Sequence, residues 1–242
     1  MIPLRDLNPS RRFPILTFSL IGINVLVFLW EQTLSVQQLQ AVLLRITVVP
    51  AQLTADPFSV EALLDSVRSM FLHGGWAHLL GNMLYLYLFG DNVEDRLGRP
   101  LFILFYLVSG FAAIVAQVAI DPSSPIPLVG ASGAIAGVLG GYLVLFPRVQ
   151  VRGIIPLGIL FYPLKLPAWV VLGFWFVVQL FNGAASLAPD VGGMGGGVAF
   201  FAHVGGFVIG AILMWLFTMV MPQPPEEERN EMLYERAQRY RY

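Results

Sequence analysis

The chain contains no cysteine, which excludes disulfides, thiolate zinc sites and a cysteine nucleophile. Charge is scarce: Asp, Glu, Lys and Arg make up 12% of the 242 residues, against about 25% in an ordinary soluble domain. No basic run of the kind that marks a nucleic-acid surface is present, and a formal net charge of −1 selects no partner. Histidine occurs three times, at His73, His78 and His203, never within an HExxH zinc motif. What remains is apolar. With 57% of its residues hydrophobic, the chain reads as a polytopic membrane protein whose surroundings are the lipid bilayer.

Six apolar segments read as spans: Pro14–Trp30, Trp76–Phe89, Leu101–Ile120, Ala131–Phe146, Ala168–Phe181 and Phe200–Val220. Several fall short of the ~20 residues that cross a bilayer, as in proteins that thin the membrane or enclose a water-filled cavity. The first lacks a small-residue cleavage site and reads as a retained anchor. Twelve of the fourteen Lys and Arg residues fall in one set of segments: the N-terminus, the 90–100 turn, the 147–167 loop and the tail. Only Arg45 and Arg68 lie in the other set. By the positive-inside rule both termini are cytoplasmic. The predicted fold is therefore all-α, a six-helix membrane bundle over residues 13–221, with a short cytoplasmic N-terminus at 1–12 and a cytoplasmic, partly helical tail at 222–242. Residues 31–75 are too long for a plain loop and predict short amphipathic helices in the outer interface. The glycine-rich stretch within 182–197 predicts an outer loop able to act as a lid. No organelle-targeting segment stands out, and the compact chain suggests a prokaryotic cytoplasmic membrane.

Polar residues inside lipid are expensive, and ionisable ones there are functional by default. Ser132 follows Gly130 and Ala131 at the head of the fourth span, and His203 lies near the head of the sixth. His78 and Asn82 occupy one face near the head of the second. With the N-terminus inside, spans two, four and six all run outside to inside, so these four residues share one depth on the outer side. A serine among glycines is ordinarily packing glue, and a lone membrane histidine is ordinarily a structural hydrogen bonder. Their joint placement favours chemistry instead. Ser132 would attack a carbonyl as His203 takes its proton. The oxyanion would be met by the backbone N–H groups of Ser132 and Ala131 at the helix N-terminus and by the Asn82 and His78 side chains. Spans four and six contain no Asp or Glu, so the expectation is a dyad without a buried carboxylate. Gly133, Gly137 and Gly141 form a small-residue face on span four, and Gly206 and Gly210 form one on span six. Such faces allow close helix approach in lipid.

The segments HGGWAHLLGN at 73–82, GASGAIAG at 130–137 and HVGGFVIG at 203–210, with Gly90, Glu94 and Gly98 four apart, resemble the rhomboid intramembrane serine proteases over about residues 12–221. The resemblance implies a six-helix core, a Ser–His dyad below the outer surface and cleavage of transmembrane protein substrates near their outer ends, with no metal or other cofactor. It implies Ser132 as nucleophile, His203 as base, and His78 and Asn82 at the oxyanion. His73, Arg68 and the glycines of the motifs become structural support. Glu94 would hold the cytoplasmic turn.

Three positions depart from the family pattern. Val67 precedes Arg68 where a tryptophan is common, Gly81 precedes Asn82 where some members are bulky, and Ala136 stands where an aromatic stacks on the catalytic histidine. The last predicts that His203 is held by neighbours from its own span or by water, and that an aromatic introduced at Ala136 is tolerated. Two other functions compete. A non-catalytic relative that binds transmembrane clients would lack the serine or the histidine, and both are present. A metal-binding membrane protein would use His73, His78 and His203.

Overall fold

The computed structural model describes residues 1–157, 160–187, 198–221 and 231. Of the expected outer loop at 182–197, residues 182–186 instead continue the helix Ala168–Ser186, and 188–197 lie outside the described residues, as does nearly all of the expected tail. From the N-terminus the elements are strand β1 (Ile2–Asp6), helix α1 (Ile15–Glu31), short helices α2 (Val36–Ile46), α3 (Pro50–Ala55) and α4 (Val60–Ser69), long helices α5 (Trp76–Leu97) and α6 (Arg99–Ile120), α7 (Ser132–Leu145), strands β2 (Gln150–Leu157) and β3 (Leu160–Pro167), then α8 (Ala168–Ser186) and α9 (Phe200–Val220).

Each predicted apolar segment is a helix. By length and composition α6, α8 and α9 suffice to cross a membrane, while α1 and α7 are apolar but shorter. Helix α5 runs on past Phe89 through Asp91, Glu94, Asp95 and Arg96 to Leu97. At the centre stands α7, buried at every residue from Gly133 to Tyr142. It is apolar all round, as a helix surrounded on all sides must be.

The long segment after α1 is helical in three pieces, as its pattern predicts. Ser35 and Gln38 close a capping box on α2, and Ser59 caps α4 by accepting from the Ala62 N–H. Neither helix buries an apolar residue.

The all-α expectation needs correction. Residues 2–6, 150–157 and 160–167, expected to lie in the N-terminus and a loop, form a three-stranded antiparallel sheet in the order β1-β2-β3. Ile2 pairs with Ile154, and Gln150 with Pro167. The signal was local: Val151, Ile154 and Ile155 on β2 and Phe161 and Tyr162 on β3 favour strands, and Ile155 pairs with Tyr162. Reading these segments only for Lys and Arg concealed it. Asp6 ties the sheet to the helices by accepting from the Tyr142 hydroxyl at 2.8 Å and from the Asn92 amide at 3.2 Å.

Candidate active site

A cavity of about 680 Å³ opens among α5, α7, α8 and α9, with His78, Asn82, Ser132, Ala136, Trp175 and His203 in its wall. Ser132 is the first residue of α7, and His203 lies in the first turn of α9. Ser132 Oγ and His203 Nε2 are 2.8 Å apart, within reach for proton transfer.

The segment leading to Ser132 is pinned from several sides. Leu128 bridges Val48, Gly130 N–H donates to the Ser69 carbonyl at 2.8 Å, and the Val48 N–H donates to Ser69 Oγ at 2.8 Å. Gly130 has φ +121°, a conformation open chiefly to glycine. A side chain there would strike the His78 ring, whose Cε1 and Nε2 would lie 2.6 Å from its Cβ.

Glycine brings α7 and α9 together. A methyl group on Gly206 would collide with the Gly133 carbonyl oxygen, and one on Gly210 with that of Gly137. The missing side chains of Gly133 and Gly137 point elsewhere, at Ala113 and Ser109 of α6, and that of Gly141 points at Phe105 and Met214. Thus the small face of α7 serves two neighbours. Gly140, absent from the sequence-predicted face, packs on the Phe207 carbonyl.

His203 is not held by its own helix alone, contrary to expectation. Its Nδ1 lies 2.8 Å from Gln179 Oε1 of α8. The Trp175 ring, also from α8, stands 5.8 Å away at 36°, with Phe200 edge-on at 6.5 Å. Ala136 is fully buried. The aromatic neighbour missing at 136 therefore comes from a different helix. Gln179 was missed by sequence reasoning although its signal was present: it is an amide within the apolar run of α8, and polar groups in such runs need partners. Gln117 of α6 is a second such case, accepting from the Ala202 N–H at 3.2 Å beside the cavity.

Asn82 Nδ2 lies 3.0 Å from His73 Nε2, so His73 orients the amide from behind the cavity wall. The His73 ring meets His78 edge-on at 5.1 Å. Burial, with His78 adding to it, pushes the His73 imidazole down to about 4, so it is neutral. Its backbone N–H donates to the buried Glu31 carboxylate at 3.1 Å. The metal-binding alternative finds no support: both ring nitrogens of His203 are engaged, by Ser132 and Gln179. Among the described residues no group of three His, Asp or Glu could hold an ion.

The buried Glu94 carboxylate reaches beyond its own turn to the start of α1, accepting from the N–H groups of Leu16 and Thr17 and from Thr17 Oγ1 at 2.7–3.0 Å. An anion at a helix N-terminus is favourable. The half-exposed Arg68 pairs within α4 with Glu61 at 2.7 Å and Asp65 at 2.8 Å.

Residues 61–220 match the family described as Rhomboid domain. Among similar proteins are Rhomboid protein 1, mitochondrial, of Saccharomyces cerevisiae, 29% identical over 90% of this chain and 56% of the relative. RHOMBOID-like protein 6, mitochondrial, of Arabidopsis thaliana is 32% identical over 73% of this chain and 50% of its own length. The human Presenilin-associated rhomboid-like protein, mitochondrial, is 31% identical over 82% and 46%. The chain spans about half the length of these relatives. Their mitochondrial names run against the prokaryotic membrane suggested by the sequence.

Proposed function

The chain belongs to the rhomboid family, and we propose that it is an intramembrane serine endopeptidase cleaving transmembrane protein substrates near their outer ends. The observation that carries this reading is the 2.8 Å contact between Ser132 Oγ and His203 Nε2 at the wall of a cavity. In the proposed topology α1 and α5 to α9 cross the membrane and both termini are cytoplasmic, which puts the cavity on the outer side.

The reaction would run as acyl transfer. Ser132 Oγ bonds to the scissile carbonyl carbon while its proton passes to His203 Nε2. Negative charge on the carbonyl oxygen would be met by the Ser132 and Ala131 N–H groups, the Asn82 amide and the His78 ring. His203 then protonates the departing amine as the C–N bond breaks. Water, deprotonated by the same nitrogen, releases the acyl group from Ser132.

The test is covalent labelling. A fluorophosphonate should modify Ser132 in the purified protein, and Ser132→Ala should abolish both labelling and cleavage of a transmembrane substrate. Cleavage by Ser132→Ala at the parent rate would reject Ser132 as the nucleophile, and a parent protein that neither labels nor cleaves would favour a client-binding relative.

A further inference from the structure

The amide of Gln179 has one orientation that satisfies both of its neighbours. Its Nε2 lies 3.3 Å from the Trp175 carbonyl oxygen, one turn earlier in α8. A carbonyl oxygen only accepts, so the nitrogen faces Trp175 and Oε1 faces His203. An amide oxygen also only accepts, so His203 Nδ1, 2.8 Å away, must carry a proton. A neutral imidazole has one N–H. Nε2 is therefore bare, and Nε2 is the atom 2.8 Å from Ser132 Oγ. Three hydrogen bonds thus run in one direction. Ser132 donates to His203, His203 to Gln179, and Gln179 to the backbone of α8.

We propose that Gln179 is a positioning residue that selects the basic tautomer of His203, making a Ser–His–Gln relay across α7, α9 and α8. The inference rests on the protease reading above and extends it to the third partner. When Ser132 Oγ bonds to the substrate carbon, its proton moves to Nε2, and the Nδ1–H bond to Gln179 is kept. The imidazolium then gives the Nε2 proton to the leaving amine, and the original tautomer returns with its Gln179 bond unbroken. An amide is suited to this place. It fixes the tautomer as the carboxylate of a serine-protease triad does, without keeping an ionised carboxylate in an apolar helix, which is costly. Gln179 is buried, and Trp175, whose carbonyl anchors the amide, also flanks the imidazole with its ring. One turn of α8 therefore sets both the tautomer and the plane of the base.

The experiment is nitrogen NMR of ¹⁵N-histidine-labelled protein in detergent, with the His203 signals assigned by their loss in His203→Ala. The parent protein should show a protonated Nδ1 and a bare Nε2 at His203. In Gln179→Met, of similar length but with only a weakly accepting thioether, the tautomers should mix. Its kcat should fall by about 10- to 100-fold, with KM changed by less than about threefold. Gln179→Glu, which restores an acceptor, should keep Nδ1 protonated and hold kcat within about tenfold of the parent. A parent His203 protonated at Nε2 would overturn the proposal, and so would an unchanged kcat in Gln179→Met. A fall in kcat with an unaltered tautomer would also overturn it, by showing that Gln179 only packs. If Gln179→Met fails to fold, the parent tautomer and the Gln179→Glu variant decide. Failure of the protease reading itself is separate: it appears as undiminished cleavage by Ser132→Ala, whatever the state of Gln179.

Discussion

The two seams that α9 makes, with α7 and with α8, are built on opposite plans. Toward α7 the contact is backbone on backbone, with Gly206 on the Gly133 carbonyl and Gly210 on that of Gly137. At these two contacts there is no side chain to rotate and no slack to take up. Toward α8 the contact is ring on ring: Trp175 and Phe176 lie 6.0 and 4.6 Å from Phe207. The outer side of α8, with Trp169, Phe174 and Phe181, is exposed. Aromatic contacts of this kind are individually worth only about 0.5–1.5 kcal/mol beyond their burial. Ser132 and His203 thus belong to the seam that cannot give. Gln179 belongs to the one that can. A substrate entering from lipid by displacing α8 would loosen the partner of the base while leaving nucleophile and base in register.

The contrast fails most visibly if the tight seam tolerates bulk. Gly206→Val should abolish cleavage and destabilise the fold by about 3 kcal/mol or more, because the added carbons meet backbone that cannot move. Thermal unfolding in detergent, read beside activity, checks this. An active variant as stable as its parent would mean that the glycine contact does not hold the two helices.

The soft seam is tested by immobilising it. The chain has no cysteine, so one introduced in α5 and one in α8 form the sole pair for a bifunctional reagent. Linking them should slow cleavage of a transmembrane substrate by about tenfold more than cleavage of a short soluble peptide, as expected when a moving element gates access. Equal inhibition of both would argue against entry past α8.

A smaller effect separates the seams at Ala136, which is fully buried on α7. With Trp175 already beside His203, a ring at this position is surplus. Ala136→Phe should lower stability by about 1–3 kcal/mol and reduce kcat, reversing what the sequence suggested. A stable variant with raised kcat would restore the sequence-based view. The smallest effect belongs to a pair remote from both seams. Arg68→Ala should leave both stability and kcat essentially unchanged, because exposed ion pairs contribute little. A substantial loss of activity would give α4 a role that its surface ion pairs do not suggest.

How much of this was legible beforehand depended on the kind of signal. Helices announced themselves through apolar runs, and Ser132 and His203 through chemistry that lipid tolerates only for a reason. The glycine seam was readable as a spacing, yet its geometry was not. Spacing does not tell that Gly133 presents its carbonyl to α9 and its missing side chain to α6. Glu94 was expected to hold its cytoplasmic turn, but a sequence cannot tell that its carboxylate reaches Leu16 and Thr17, far away along the chain. The Gln179–His203 bond was hidden for the same reason. Long-range pairing is decided by packing, and only the unexplained amide in α8 hinted at it. The sheet was lost to a different cause, a charge pattern read for topology where the alternation of strand-forming residues also had something to say.

That sheet bears on the order in which the molecule can assemble. Strand β1 pairs with β2 in a register joining Ile2 to Ile154, and its Asp6 is bonded to Tyr142 on α7. Neither partner exists until α7 and β2 have been synthesised. At about 5–20 residues per second, β1 waits on the order of ten seconds with its edge unpaired. Closing so long a loop is the slow kind of contact. The sheet therefore acts as a late latch: it can shut only after α1 and α5 to α7 have been made, and by shutting it joins β1 to the helix that bears Ser132.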